Sequence, residues 1–405
     1  MGRGVDPLPT LRRMDRPAVE APADLPYRIA LHRVHRLGAA RFGLLDRAFP
    51  SMEEVWRAPA GALVAAGLDR RTAQEVVRAR EETDPSGELE RLAQAGVTAL
   101  AQTDPRYPSR LREIDDAPPV LYVKGVWADV DEWSIAVVGT RRATAYGRMA
   151  AQEFSRGLAV NGITVVSGLA RGVDTVSHRA ALDAGGRTVA VLANGLDTVY
   201  PPENRRLAEE IAERGAVMSD YPLGTKPRAD FFPRRNRILS GVSLGTLVVE
   251  GDHDSGAMIT AKFATEQNRE VFAVPGSIFS VQSKGPFGLI KDGATPVANA
   301  EDILEALNLS VVGKQLDFGR AAPPESDDER ALMAALSREP QHIDAVVRRS
   351  GLAAATVSGT LALLELKGLV RDVGGMQFVR VREDEGDYAP AESAGRAAGA
   401  IENAL

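Results

Sequence analysis

Six short apolar runs, rich in β-branched residues, recur between Ile135 and Val274: Ile135 to Val138, Ile163 to Val166, Thr188 to Leu192, Ala216 to Ser219, Thr246 to Val249 and Val271 to Val274. Segments of helical periodicity separate them. Unbroken apolar strands must be buried on both faces, and their alternation with helices is the pattern of a parallel sheet covered on both sides. Nearly every run ends in small or turn-forming residues, among them Gly139, Ser167-Gly168, Asn194-Gly195 and Pro275-Gly276. The strand ends are therefore expected to line one crevice, which is where open α/β sheets bind ligands.

With 405 residues, the chain has room for several cores at roughly 100 to 200 residues per domain. Residues 1–24 are proline-bearing and aperiodic and read as a disordered leader. Residues 25–104 read as a small helical module. Its glycine turns, at Leu37-Gly38 and Ala66-Gly67-Leu68, suit either a SAM/helix-hairpin-helix-like module that offers backbone amides to phosphate or plain helical packing. Residues 105–308 form the expected extended Rossmann-like domain, and residues 309–326 a linker. Three helices and a hairpin around Gly374-Gly375 make residues 327–382 a winged-helix domain. Residues 383–405 are acidic and alanine-rich, and read as disordered. The segment Ala353 to Thr360 holds no arginine, lysine, asparagine or glutamine, so the winged helix is expected to contact protein or to pack rather than to read bases.

Composition excludes much chemistry. The chain has no cysteine, which removes disulfides, thiolate metal sites and a thiol nucleophile. Its five histidines, His32, His35, His178, His253 and His342, are too dispersed for a metal cage. No run approaches the roughly 18 to 20 apolar residues of a membrane span, and the N-terminus lacks an apolar signal core. A cytoplasmic protein without a membrane span is expected.

The net charge of −6 opposes indiscriminate coating of nucleic acid, but it hides a local concentration. Lys226, Arg228, Arg234, Arg235 and Arg237 crowd one short stretch against the single acid Asp230. Within it, Phe231-Phe232-Pro233-Arg234-Arg235-Asn236-Arg237 pairs rings for unstacked bases with cations for the adjacent phosphates. The alternative is core packing by the rings and ion pairing by the arginines.

The turn Gly139-Thr140-Arg141-Arg142 occupies the place of a dinucleotide fingerprint, but Arg141 stands where the second glycine would be. Its bulk blocks close backbone approach while its charge invites a phosphate. No P-loop exists anywhere in the chain. Ser167-Gly168-Leu169-Ala170-Arg171-Gly172-Val173-Asp174 suits a phosphate-binding turn or an ordinary one, with Asp174 as a helix cap. No G-x-S-x-G elbow is present, and Asp252-His253-Asp254 reads as turn chemistry. No catalytic residue, metal or cofactor is expected.

Five separated motifs carry a family resemblance: Val138-Gly139-Thr140-Arg141; Ser167 to Asp174 with His178; Ala193-Asn194-Gly195-Leu196-Asp197 with Tyr200-Pro201; Phe232 to Ile238; and Ser255-Gly256-Ala257 through Pro275-Gly276. In order and spacing they resemble the DNA-processing protein A (Smf) family over roughly Pro105 to Ala306. The resemblance implies an extended Rossmann-like domain that binds single-stranded DNA, forms a homodimer and helps load the RecA recombinase during natural transformation and recombination. It implies that Arg141 is the main phosphate-binding arginine. It also places a basic residue at Lys226 or Arg228 and a base-stacking ring at Phe231 or Phe232. The expected DNA-binding set is Gly139, Thr140, Arg141, Arg142, Ser167, Gly168, Lys226, Arg228, Phe231, Phe232, Arg235, Asn236 and Arg237. The rival is a nucleotide-cleaving phosphoribohydrolase, whose P-G-G-x-G-T-x-x-E motif resembles Gly245-Thr246 with Glu250. Here Val242-Ser243 replace the tandem glycines, and the acid comes one residue late.

Overall fold

Every one of the six apolar runs forms a strand. The computed structural model describes residues 22–309, 326–337, 341–366, 369–372 and 376–380. Most of the expected leader and linker, the Gly374-Gly375 turn and the acidic tail lie outside the described residues. One compact unit ends at Leu309 and a second begins at Ser310.

The first unit opens with α1 (Leu25–His32), α2 (Ala39–Ala48), α3 (Met52–Arg57), α4 (Ala60–Ala65), α5 (Arg70–Glu82) and α6 (Pro85–Gln94). Local signals set these boundaries: Asp69 accepts the Thr72 amide at 3.0 Å to start α5, and Asp84 accepts the Ser86 and Gly87 amides to start α6. Next come β1 (Val97–Ala101), α7 (Ser109–Arg112), β2 (Val120–Gly125), β3 (Ser134–Val138), α8 (Ala145–Val160), β4 (Thr164–Ser167), α9 (Val173–Asp183) and β5 (Thr188–Val191). The unit closes with α10 (Arg205–Arg214), β6 (Ala216–Ser219), α11 (Phe231–Val242), β7 (Gly245–Val248), α12 (Gly256–Glu266), β8 (Glu270–Ala273), α13 (Lys284–Lys291), β9 (Thr295–Pro296) and α14 (Ala300–Ala306).

The strands make a nine-stranded sheet in the order β1-β2-β6-β5-β4-β3-β7-β8-β9. From β6 to β9 it is parallel, and β1 and β2, which the apolar runs did not reveal, extend it in antiparallel fashion. Alternate residues feed two cores, as a period of two requires. Val189, Val191 and Met218 meet Ile238, Leu239 and Ala257 on one face. Ala190, Leu192 and Val217 meet Leu25, Leu207 and Ile211 on the other. Helix α1 also sends Ala30 and Leu31 into a third core shared with Phe42, Leu45, Val55 and Val76. The helical module is thereby packed onto the sheet. Chain order reverses between β3 and β7, so the loops that leave these strands diverge and open a crevice.

The second unit contains α15 (Asp327–Ala335), β10 (Gln341–His342), α16 (Ile343–Ser350), α17 (Ala354–Leu366), β11 (Val370–Asp372) and β12 (Gln377–Arg380), with strand order β10-β12-β11. Leu332, Val346, Val357, Leu361 and Leu364 form its core. Three helices with a small antiparallel sheet make the expected winged helix.

Candidate nucleic-acid interface

A cleft of about 730 Å³ opens at the strand-order reversal. The turn after β3 supplies Gly139, Thr140, Arg141 and Arg142, the loop after β4 and the first turn of α9 supply Ala170 and Asp174, and the start of α12 supplies Ser255 and Gly256. Arg228, Phe232, Arg235 and Asn236, on and before α11, close it. Four arginines thus line it against the single acid Asp174.

The β3 turn is held from below. The Thr140 amide donates to the Glu250 carbonyl at 2.7 Å, and the Thr140 carbonyl accepts from the Val173 amide at 3.3 Å. Gly172, at φ +79°, lies so close that a Cβ there would come within 2.3 Å of the Thr140 oxygen. Only glycine fits both that backbone conformation and that approach. The clamped turn leaves Arg141 and Arg142 exposed, with no ion pair among the described residues. The Arg141 guanidinium lies 5.1 Å from the Phe232 ring centroid, within cation–π range. Tyr200, 40% exposed, lies 5.8 Å from Phe232 at an interplanar angle of 54°. Tyr200 was not among the expected site residues. Its signal was present in the Tyr200-Pro201 motif, as an aromatic next to a turn-forming proline.

The expected site residues separate into groups. Gly139, Thr140, Arg141, Arg142, Arg228, Phe232 and Asn236 meet at the cleft. Lys226 is exposed but does not line it. Arg228 reaches Asp230 at 3.1 Å and lies 5.1 Å from the centroid of Phe231. Phe231 is itself buried, stacked on Tyr221 at 4.4 Å. Asn236 lines the cleft while its amide donates to the Gly256 carbonyl at 3.1 Å.

Four expected donors do other work. The Ser167 hydroxyl donates to the Val137 carbonyl at 2.7 Å, tying β4 to β3. The Gly168 amide donates to Asp174 at 3.1 Å, so it does not face a ligand. Arg235 is buried and donates to the carbonyls of Gly168 and Val191. Arg237 forms ion pairs with Asp116 at 2.8 Å and Asp220 at 3.0 Å. Backbone carbonyls and acids thus claim these four, leaving Arg141, Arg142 and Arg228 as the accessible cations of the cleft.

Charge at the floor follows from burial. Desolvation holds the Asp174 carboxyl above its ordinary range, against the opposing pull of Arg235 and the Ala170 and Gly168 amides. Desolvation also lowers Arg235 to about 10, with Asp174 opposing and Arg141 assisting, so it stays cationic at neutral pH. Glu250 is buried, and its two carboxylate oxygens accept from the Thr144 hydroxyl at 2.5 Å and the Thr144 amide at 3.0 Å. It anchors the start of α8 and does not line the cleft. The cleft therefore offers unpaired cations beside an accessible ring.

The family described as DNA recombination-mediator protein A matches residues 98–308, and that described as the DprA winged helix domain matches residues 317–376. Protein Smf of Synechocystis sp. is 34% identical over 393 residues, covering 87% of this chain and 98% of that protein. Protein Smf of Escherichia coli is 41% identical over 282 residues, covering 68% and 75%. The crystal structure of DNA processing protein A (DprA) from Streptococcus pneumoniae matches with a TM-score of 0.61 at 34% identity, covering 69% of this chain and 97% of that one.

Proposed function

Because the chain belongs to the DNA recombination-mediator protein A family, we propose that it grips single-stranded DNA in the Arg141 cleft without altering it chemically. The observation that carries this reading is the unpaired Arg141 guanidinium beside the accessible Phe232 ring. One holds a phosphate and the other receives the adjoining base. Duplex DNA keeps its bases stacked inside and offers nothing to the ring. The family resemblance extends the reading to RecA loading on the bound strand, during transformation and recombination in the cytoplasm. No helix among the described residues is long and apolar enough to cross a membrane.

Homodimerisation is part of the same proposal. Ile278, Phe279 and Val281 are 72%, 91% and 50% exposed, an apolar cluster of the kind that a subunit contact covers. Two clefts on one strand raise the effective concentration of the second contact.

The enzymatic alternative loses support at Glu250, whose carboxylate is consumed in anchoring α8. Titrating the full chain with a labelled oligothymidylate and with a duplex of equal length tests the binding reading. Single strands should bind far more tightly, with affinity falling steeply in salt. Equal affinity for both, or release of free base from nucleoside monophosphates, contradicts it.

A further inference from the structure

Neighbouring residues at the start of α11 divide between two clefts. Phe232 and Asn236 face the first, whereas Phe231 and Arg234 line a second of about 750 Å³. The opposite wall of the second is the turn from α1 to α2 with the first turn of α2, including His35, Gly38 and Arg41. The walls are fastened together: Arg33 donates to the Leu223 carbonyl at 3.2 Å, and His32 shares a 3.1 Å hydrogen bond with the Tyr122 hydroxyl.

The second cleft repeats the chemistry of the first. The Tyr221–Phe231 stack and Phe263 give it an aromatic side. Arg33, Arg41, Arg234 and Arg237 line it against Asp116 and Asp220, and Arg237 alone engages both acids. The acids that pair with Arg33 and Arg41 are Glu88 and Asp69, neither of which lines the cleft. Arg234 is exposed and has no ion pair among the described residues. Gly38, in extended conformation, precedes α2 without a side-chain cap, so the first amides of that helix keep their capacity for an anion.

We propose that this second cleft continues the single-strand path. The strand leaves the first cleft across α11, sets a phosphate between Arg234 and the start of α2, and rests a base against the aromatic side. The helical module thereby becomes part of the DNA-binding surface. This inference rests on the single-strand reading of the first cleft. Charge complementarity and the α11 wall that the two clefts share select nucleic acid as the occupant.

Gly38→Asp tests it without endangering the fold. A Cβ at Gly38 meets nothing within 4 Å, and aspartate is a preferred cap in this backbone conformation. Its carboxylate would occupy the α2 amides and repel a phosphate. Arg234→Ala serves as the second variant. Both full-length proteins are titrated with oligothymidylates of about four and about sixteen nucleotides, lengths that bracket single-strand site sizes. Each variant should bind the short strand as the parent does and the long strand several-fold more weakly. The dependence of log affinity on log salt should fall by about 0.7 for each phosphate that the variant no longer neutralises. Long-strand affinity and salt slope equal to the parent's in both variants overturn the second cleft. A parent that ignores the short strand overturns the first-cleft reading and this inference with it.

Discussion

The Arg141 guanidinium lies 5.1 Å from the centroid of the Phe232 ring, on a turn clamped by Glu250 and Gly172. The cation has no carboxylate to lose on meeting a phosphate, and the ring holds its long side chain in place. Arg141→Ala should therefore weaken single-strand binding by about 1.5–3 kcal/mol, the range of hydrogen bonds to charged groups. The melting temperature should stay within a degree or two of the parent, since the side chain is exposed. Unchanged affinity in a folded variant removes Arg141 from the site.

The two adjacent phenylalanines should separate when binding is read with the short oligothymidylate, because Phe231 also belongs to the aromatic side of the second cleft. Phe232→Ala is expected to cost about 1–3 kcal/mol of binding through the absence of stacking, with little effect on stability. Phe231→Ala removes a buried ring packed on Tyr221 and should cost about 3–5 kcal/mol of folding stability. Denaturant unfolding and titration with the short strand on both variants read the contrast. A reversed pattern would falsify the assignment of cleft and core.

Much of this was legible in the sequence. The six strands were, because burial on both faces demands uninterrupted apolar runs. The place of Arg141 at the mouth of the sheet was, because the residue stands where a nucleotide fold needs glycine. The division of Phe231 to Arg237 was not extracted, although part of its signal lies in the period of α11. Phe231, Arg235, Ile238, Leu239 and Val242 fall on one buried helical face, which implies that Arg235 points inward. What no local pattern carries is the identity of the acceptors. The Gly168 and Val191 carbonyls and the Asp116 carboxylate arrive from far along the chain. Strands β1 and β2 escaped for a related reason: they stand outside the strand–helix alternation, and their antiparallel pairing joins residues on either side of the segment that carries α7.

Glu250 offers a test between anchoring and catalysis. Glu250→Gln should weaken the hold on Thr144 and lower stability by about 1–3 kcal/mol, while single-strand affinity stays near that of the parent. A variant of unchanged stability contradicts the anchoring role.

Burial of His178 sets a pH dependence. Desolvation, assisted by Arg235, lowers its pKa from 6.5 to about 3, and Nδ1 hydrogen-bonds the Thr188 hydroxyl at 2.7 Å. Because the folded pKa is depressed, the unfolded chain takes up a proton first as pH falls. Its contribution to stability is therefore full above pH 6.5 and declines by about 1.4 kcal/mol per pH unit towards pH 3. His178→Asn retains a donor to Thr188 and removes the titration, so the difference between variant and parent should narrow as pH drops from about 7 to about 5. Urea midpoints at the two pH values measure it; a constant difference contradicts the neutral buried histidine.

The most direct measurement is a crystal structure of the full chain with a bound oligothymidylate. The predicted result is a thymine on the Phe232 ring and a phosphate oxygen within hydrogen-bonding distance of the Arg141 guanidinium. A strand held elsewhere, with the Arg141 cleft empty, would contradict it.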